Sequence, residues 1–347
     1  MADHDVIIIG AGIAGAAMAH ELRARGRNVT VIESASAIAS GASGNPKGII
    51  KPFLSLGDDR MRQLYHAAYA YGLETLGKLS VPILQRGVVQ FPSETEIRYP
   101  TAPALAGLGP GDLIYLSAAE TSELLQTESK SETLFWPSAV VVNPLEWVRA
   151  LLGDTPTKLN MHITKVHHDK NWICTTDKHK TFSAKQIIVA SGHASDLLAP
   201  FAPDIVDQLR PRMGQITMLP AAALPALPRA ISFARYLISS SAADDPHILG
   251  ATFAHTDQIV VTRAGHESNI LALQNFARIL PALSEPAARI VPETCQGRSA
   301  VRPTTLNHLP IWGEAAPGLF YLTGLGSRGL MSAPYVAQQL CRIICSV

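Results

Sequence analysis

The chain has 347 residues, of which 47% are hydrophobic and 16% are charged, so a sizeable core is expected and long disordered segments are not. With roughly 100–200 residues in an average domain, this length predicts two domains. The formal net charge of +1 gives no support to a strongly basic nucleic-acid-binding protein or to an acidic tail. Four scattered cysteines predict neither a disulfide framework nor a metal site. The chain lacks the basic start of a signal peptide and any apolar run of about 18–20 residues, so no membrane span is expected. These features together favour a cytoplasmic protein.

The first forty residues combine a strand, a glycine-rich turn, a helix and a second strand. Four consecutive β-branched residues predict a buried strand over Asp5–Ile9, and a second strand is predicted over Asn28–Ile32. Between them, a turn over residues 10–15 leads into a predicted helix over Ala16–Arg25. Glu33 lies at the end of the second strand. This order of elements is typical of the unit that binds dinucleotides.

The glycine-rich turn has the spacing that a bound pyrophosphate requires. Gly10 permits the tight turn, Gly12 lets the backbone approach the phosphates, and Gly15 lets helix and strand pack closely. The free N–H groups of the helix N-terminus favour the phosphates. Glu33 can accept hydrogen bonds from the adenosine ribose and disfavours a 2′-phosphate, which indicates FAD or NAD rather than NADP. The contacts expected from this unit are Gly10, Gly12, Ile13, Ala14, Gly15, Glu33 and Ser34.

Two further glycine-rich segments favour FAD over NAD. The first, at residues 40–52, directly follows the ribose-binding acid, where an extended flavin needs backbone donors; a flexible surface loop is the alternative. The second follows a short apolar strand near the C-terminus and leads into a helix predicted from about Ser332 to Ile344. N–H groups there can stabilise negative charge on a reduced flavin ring. The contacts expected from both segments are Ser43, Gly44, Asn45, Lys47, Gly48, Gly324, Gly326, Ser327, Arg328, Gly329 and Leu330.

Four strings carry a more specific resemblance: GASGNPKGIIKPFLS at 41–55, LFWPSAVVVNPLEWVRA at 134–150, NHLPIWG at 307–313 and LGSRGLMSAP at 325–334. Through them the sequence resembles the D-amino-acid oxidase and glycine oxidase group of FAD enzymes. Within that group it is most similar to the FAD-dependent oxidase module of the MnmC family of bifunctional tRNA-modifying enzymes. The early loop places no histidine or cysteine in a way that suggests a covalent flavin, so noncovalent FAD is expected.

The resemblance implies an α/β fold in which a Rossmann-type FAD-binding domain is interleaved with a mixed antiparallel-sheet substrate domain, as in glycine oxidase. The FAD-binding domain is expected to comprise residues 1–80, 136–210 and 297–347, and the substrate domain residues 81–135 and 211–296.

Two segments in the middle of the chain add to the expected FAD site. A buried strand predicted over Gln186–Gly192 ends in small residues, so Ser191 and Gly192 are expected beside the cofactor. A hairpin is predicted from residues 161–169 and 172–176, and by resemblance Val166 takes the family's adenine-flanking backbone position.

Three residues are expected at the substrate. The resemblance aligns Arg302 with the arginine that forms a fork to the substrate carboxylate in amino-acid oxidases, and its planar pair of donors suits that role. Tyr236 matches a tyrosine at the carboxylate, and Phe253 matches an apolar wall position. The alternatives are a structural salt bridge for Arg302 and ordinary core positions for the other two.

Two positions depart from the family pattern. Lys51 stands where the most similar module tends to carry an aromatic residue, and Asn307 stands where relatives usually have aspartate. Because the chain has no lysine after Lys185, a lysine that activates oxygen, as in sarcosine oxidase-like enzymes, must come from earlier in the chain, with Lys47 or Lys51 nearest the flavin. Of these two, Lys51 is predicted as a catalytic residue on the flavin or substrate side.

The resemblance implies removal of a hydride from a carbon beside an amine, followed by hydrolysis of the imine. For a carboxymethylaminomethyl group on the wobble uridine of tRNA, this would release glyoxylate and leave an aminomethyl group. The implied partners are a carboxylate-bearing amine substrate, the tRNA anticodon loop and a separate methyltransferase. A small-molecule amine or amino-acid oxidase without RNA contact, and a flavin-binding scaffold without turnover, stay open as alternatives.

Overall fold

The structure, a computed structural model, describes residues 4–53, 59–92 and 111–345. Within these ranges, the strands are β1 (His4–Ile9), β2 (Val29–Ile32), β3 (Gly48–Ile50), β4 (Ile83–Gln90), β5 (Ile114–Leu116), β6 (Thr133–Val142), β7 (Thr157–Lys158), β8 (Ile163–His168), β9 (Trp172–Thr176), β10 (Thr181–Val189), β11 (Arg210–Leu219), β12 (Ala230–Ser232), β13 (Tyr236–Ile238), β14 (His247–Gly250), β15 (Gln296–Thr304), β16 (Ile311–Ala316) and β17 (Leu319–Thr323). The helices are α1 (Ile13–Arg23), α2 (Asp59–Lys78), α3 (Ala118–Leu125), α4 (Pro144–Leu152), α5 (Pro203–Val206), α6 (Arg263–Phe276), α7 (Ser284–Ala288) and α8 (Gly329–Ile344).

The first sheet has a parallel centre. Its strand order is β16-β17-β10-β1-β2-β7, with β9 antiparallel to β10 and β8 antiparallel to β9. The neighbours from β17 to β7 pair in parallel. Helices α1, α4 and α8 pack on one face, and the β8–β9 hairpin and residues 196–206 contribute to the core on the other. Burial on both faces explains the uninterrupted run of β-branched residues in β1.

The second sheet is almost wholly antiparallel. Its order is β15-β11-β14-β13-β12-β4-β6-β3, with β5 beside β6, and only β12 and β4 pair in parallel. Helix α6 packs on β11, and Phe276 at its end stacks on Phe233 with the ring centroids 4.3 Å apart. This combination of a parallel-centred sheet and a mixed antiparallel sheet agrees with the predicted α/β class.

The predicted domain ranges do not coincide with the two sheets at three places. Strands β3 and β15, and most of β6, lie in ranges expected for the FAD-binding domain but pair in the second sheet. Because sheet membership alone does not delimit a domain, the division stays a prediction.

Both predicted helices next to glycine-rich turns begin earlier than predicted. Helix α1 starts at Ile13 rather than Ala16, and α8 starts at Gly329 rather than Ser332. In α1, the Ala16 amide donates to the Gly12 carbonyl at 2.9 Å, so the glycine-rich turn itself forms the first helical turn. Among the described helices, none combines the length and the apolarity that crossing a membrane demands.

Candidate active site

A cavity of about 1300 Å³ lies between the two sheets. The β1–α1 turn, residues 40–53, strand β8, residues 190–197 and the turn before α8 line it, together with residues of the second sheet. Most of the residues predicted at the cofactor belong to this lining: Gly10, Gly12, Ile13, Ala14, Glu33, Ser34, Ser43, Asn45, Lys47, Gly48, Val166, Ser191, Gly192, Gly326, Ser327, Arg328, Gly329 and Leu330. Three predicted residues do not line it: Gly15, Gly44 and Gly324.

The β1–α1 turn approaches the neighbouring strand very closely. Gly10 has a φ of +108°, and a Cβ there would lie 2.6 Å from the Ala190 carbonyl oxygen. At Gly15, a Cβ would overlap the Gly10 carbonyl oxygen, so this glycine serves the packing of α1 on the turn. The N-cap of α1 is Gly12, which lines the cavity and carries no side chain of its own.

Glu33 is fixed by backbone donors at the end of β2. Its Oε2 accepts from the Ala11 amide at 2.7 Å, and its Oε1 accepts from the Ala35 amide at 2.9 Å. A carboxylate held in this way keeps further lone pairs for the hydroxyl groups of a ribose.

The segment at residues 40–48 is anchored on both sides of the cavity. Ser43 Oγ accepts from the Ile13 amide at 3.0 Å. From β15, Arg298 donates to Asn45 Oδ1 at 3.0 Å and to the carbonyl oxygens of Ser40, at 2.7 Å, and Gly41. Arg298 had no distinguishing signal in the sequence, because its partners lie in another part of the chain.

Two glycines predicted at the cofactor have other neighbours. A Cβ at Gly44 would lie 2.5 Å from Arg298 Nη2, so Gly44 makes room for the arginine. Gly324, with a φ of +71°, lines a smaller adjoining pocket instead of the large cavity.

The Lys47 side chain ties the same segment to the second sheet. Its buried Nζ donates to Asp245 Oδ2 at 2.7 Å, to the Ser239 carbonyl at 3.1 Å and to the Pro246 carbonyl at 3.0 Å. Burial raises the pKa of Asp245, but hydrogen bonds from Lys47 and Ser241 outweigh it and bring that pKa below its usual value. The ammonium is thus engaged by the β13–β14 connection, and the predicted contact of Lys47 with the cofactor stays a prediction.

Arg302 on β15 lines the cavity with an unsatisfied donor. Its Nη1 is shielded from water and has no hydrogen-bond partner among the described residues. Tyr236 also lines the cavity, and the Phe253 ring centroid lies 5.1 Å from Arg302 Cζ. Burial lowers the pKa of Arg302, and the neighbouring Tyr236 partly offsets this decrease. Burial raises the pKa of Tyr236, and the positive charge of Arg302 partly offsets this increase. An arginine stays charged even so.

A glycine beneath Arg302 makes its position possible. Gly214 lies on β11, next to β15, and a Cβ there would lie 2.5 Å from Arg302 Cζ. The guanidinium therefore lies directly over the backbone of β11. No motif or spacing in the sequence distinguishes Gly214 from other strand glycines.

Lys51 is held at the cavity wall by the second sheet. Its Nζ donates to Gln90 Oε1 at 2.8 Å, and the same oxygen accepts from Trp136 Nε1 at 3.0 Å. Lys51 Nζ also lies 5.6 Å from the centroid of the Trp136 ring. Lys51 lines the cavity, whereas Gln90 and Trp136, which hold its ammonium, do not; the catalytic role of Lys51 stays a prediction.

Asn307 replaces the expected aspartate without leaving its neighbours unpaired. Its Oδ1 accepts from the Leu309 amide at 3.1 Å and lies 3.0 Å from Thr305 Oγ1, which donates to the Leu309 carbonyl at 2.6 Å. The Leu309 amide needs only an acceptor oxygen, which the amide of Asn307 supplies as well as a carboxylate would.

The site fits FAD on structural grounds. A volume of about 1300 Å³ extends from Glu33 at the end of β2 to Arg302 on the second sheet. The open N-termini of α1 and α8 both face it, which suits phosphates at one place and an electron-rich ring at the other. Among the described residues, no group of three histidine, cysteine, aspartate or glutamate side chains is arranged to hold a metal ion.

Comparisons with known proteins agree with this geometry. A family model described as FAD dependent oxidoreductase matches residues 5–343. The chain is 30% identical, over 98% of its length, to the tRNA 5-methylaminomethyl-2-thiouridine biosynthesis bifunctional protein MnmC of Marinobacter nauticus, and 34% identical, over 96%, to that of Caulobacter vibrioides. It covers 55% and 53% of them, so it spans about half the length of these curated relatives. Glycine oxidase from Bacillus cereus superposes with a TM-score of 0.79 at 20% identity, covering 99% of this chain and 95% of that one.

Proposed function

The chain belongs to the family of FAD-dependent oxidoreductases, and from this premise we propose that it oxidises the C–N bond of a carboxymethylamino group carried on the wobble uridine of tRNA. The observation that carries the proposal is Arg302, which lines the cavity and has no hydrogen-bond or ion-pair partner among the described residues. A partly buried charged donor group is stabilised by a ligand of opposite charge that accepts its hydrogen bonds. A carboxylate is the ligand that a guanidinium fork binds best.

The cofactor would be held by the residues that line the cavity on the side of the first sheet. Glu33 would accept hydrogen bonds from the ribose, and the N-terminus of α1 would face the pyrophosphate. The turn before α8 would face the pyrimidine part of the flavin ring. The chemistry that FAD supplies when bound is that of a hydride acceptor, which takes up two electrons and a proton.

The chain's own residues would bind and orient the substrate. Arg302 neutralises the carboxylate and fixes the adjacent CH₂ group, while Tyr236 donates to the same carboxylate and Phe253 closes the apolar side. In the substrate, R–CH₂–NH–CH₂–COO⁻ loses a hydride from the CH₂ next to the carboxylate and a proton from nitrogen, giving the imine. Water then adds across the C=N bond, releasing glyoxylate and R–CH₂–NH₂. The main contribution of the protein to the rate would be to hold the C–H bond in the orientation that the hydride transfer requires.

The names of the relatives support tRNA as the carrier of the amine. Both are described as bifunctional proteins for the biosynthesis of 5-methylaminomethyl-2-thiouridine in tRNA. We therefore propose that the anticodon loop of tRNA is a partner of this chain, and that a methyltransferase acts on its product.

A second candidate is an oxidase of small amines or amino acids. Arg302 and Tyr236 would bind the carboxylate of a free amino acid equally well, and the fold is that of glycine oxidase. Nothing in the pair itself requires a nucleic acid.

Anaerobic flavin reduction separates the two candidates. The FAD-loaded protein is mixed with tRNA bearing carboxymethylaminomethyl-uridine and, separately, with glycine, sarcosine or D-alanine, and the flavin absorbance is followed. The proposal expects fast bleaching with the modified tRNA and slow or no bleaching with the free amino acids. Fast bleaching by an amino acid, with none by the tRNA, would overturn it.

A further inference from the structure

A second pocket, of about 180 Å³, opens beside the large cavity. Arg212 on β11, His308 in the turn after β15 and Arg328 before α8 line it, together with Phe253. Of the described residues in its lining, none is acidic. We call this feature the arginine pocket.

The two guanidinium groups of the arginine pocket have no compensating carboxylate in the part of the chain that the structure describes. Arg212 Nη1 donates to the neighbouring Pro211 carbonyl at 3.2 Å, and Arg328 Cζ lies 3.8 Å from the centroid of the Phe53 ring. An arginine keeps its charge at ordinary pH. An anion in the pocket would be attracted by both charges and could accept charge-assisted hydrogen bonds.

The arginine pocket lies next to the carboxylate site. Arg212 and Arg302 face each other as directly paired residues of β11 and β15, so their side chains leave the same face of the sheet. Phe253 lines both the large cavity and the arginine pocket, and 57% of its surface is exposed. An anion in the pocket and a carboxylate at Arg302 would therefore lie on either side of one aromatic ring.

A nucleotide offers a phosphate and a base to two neighbouring sites of this kind. We propose that the arginine pocket binds a backbone phosphate flanking the wobble uridine while Phe253 stacks on the base and Arg302 holds the carboxylate. This proposal rests on the proposed function, because it names how the same site recognises an RNA substrate. Arginine binding to phosphate and stacking of a base on an exposed aromatic ring are the usual means of holding a single-stranded segment.

Binding of an unreactive RNA tests the pocket without turnover. The probe is a fluorescein-labelled anticodon stem–loop with an unmodified wobble uridine, titrated with FAD-loaded protein and followed by fluorescence anisotropy. We expect Arg212→Gln to raise Kd about tenfold at low salt, as for the loss of one charge-assisted hydrogen bond. The slope of log K against log salt concentration should fall by about 0.7, the value for one phosphate contact in a single strand.

Arg210→Gln is the matched control. Arg210 lies two residues earlier on β11, lines neither cavity, and donates to the carbonyl oxygens of Asp207 and Leu209. Its replacement removes the same charge from the same strand and should leave Kd within about twofold of wild type, as screening weakens distant charges.

A neutral linkage in the RNA identifies the phosphate. Two RNAs are compared, each with a single methylphosphonate on one side of the wobble uridine. For the wild-type protein, Kd should rise about tenfold with only one of the two RNAs. For Arg212→Gln, that same RNA should bind with the Kd of the unsubstituted RNA. Equal Kd for wild type and Arg212→Gln, an equal loss in Arg210→Gln, or no measurable binding to wild type would each overturn the pocket. The binding assay measures no oxidation, so its outcome is independent of the flavin-reduction experiment. Loss of binding in Arg212→Gln alone supports the pocket. Failure of modified tRNA to bleach the flavin would overturn the proposed function instead.

Discussion

At the scale of single residues, Arg302 carries the largest expected effect. Replacing it with alanine leaves the substrate carboxylate without its partner and should cost on the order of 2–4 kcal/mol of transition-state binding, judged from unpaired charge-assisted hydrogen bonds. The measurement is kcat/KM for a carboxylate-bearing amine. Arg302→Lys keeps the charge but loses the fork, so it should fall between wild type and Arg302→Ala. Unchanged kinetics in Arg302→Ala would remove this residue from the site.

Lys51 is the residue to test for reaction with oxygen. Lys51 lines the cavity, and its ammonium is held by Gln90 beside Trp136. A fixed positive charge near the flavin would stabilise the negative charge that oxygen acquires on reduction. Lys51→Met should slow reoxidation of the reduced protein by oxygen about tenfold or more, measured by stopped-flow absorbance. Lys185→Met removes a distant lysine that pairs with Asp5 and serves as the control. If Lys51→Met reoxidises at the wild-type rate, the predicted role of Lys51 is wrong.

At the scale of strands and helices, β11 supports the side chain of its neighbour β15. Gly214→Ala would put a Cβ 2.5 Å from Arg302 Cζ and displace the guanidinium. We expect kcat/KM for a carboxylate-bearing amine to fall about tenfold or more, since a misplaced partner loses a charge-assisted hydrogen bond. Gly77→Ala in α2, where a Cβ would meet no atom within 4 Å, is the control. Full activity in Gly214→Ala would mean that Arg302 does not depend on this glycine.

The Lys47–Asp245 pair makes a prediction about pH. The folded pKa of Asp245 is lowered, so its contribution to stability is present above the unfolded pKa and disappears as pH falls through the folded value. Asp245→Asn should lower the free energy of unfolding by about 1–3 kcal/mol at pH 7, because a buried ammonium loses its charged partner. In urea unfolding at a series of pH values, this difference should stay constant down to about pH 5 and shrink below pH 4. A difference that does not shrink at all as the pH falls would contradict the assignment, and Glu285→Gln, in an exposed pair with Arg289, is the control.

The elements themselves were predicted to different degrees. Strands β1 and β2 and the β8–β9 hairpin follow from local patterns of β-branched residues and turns, and they occur within a few residues of the predicted positions. The start of α1 was predicted three residues late because glycines were interpreted as part of the turn. Gly15 lies within α1, whereas Gly10 stays in the turn and contacts Ala190 just after β10, a contact that local sequence does not reveal.

At the scale of the whole molecule, the comparisons confirm the predicted family, the FAD cofactor and the glycine oxidase-like fold. The glycine-rich segments and the family strings were enough for these, since they lie at both ends and in the middle of the chain. The side-chain ties across the cavity could not be predicted in this way. Arg298 is separated from Asn45 by 253 positions, and Asp245 from Lys47 by 198, so their pairing depends on how the second sheet meets the first.

The Arg298 tie gives the prediction that concerns the whole molecule. Arg298→Met keeps the apolar length of the side chain but removes the donors that hold Ser40 and Asn45, so the segment at residues 40–48 should be less well placed for FAD. We expect the Kd for FAD, from quenching of flavin fluorescence on titration into apoprotein, to rise about tenfold. At a fixed excess of FAD, the stabilisation on thermal unfolding should fall by about 1.4 kcal/mol as a consequence. Arg289→Met, on the exposed surface of the chain, should change neither quantity. A lower melting temperature of the apoprotein with an unchanged Kd for FAD would mean that Arg298 stabilises the fold without preparing the cofactor site.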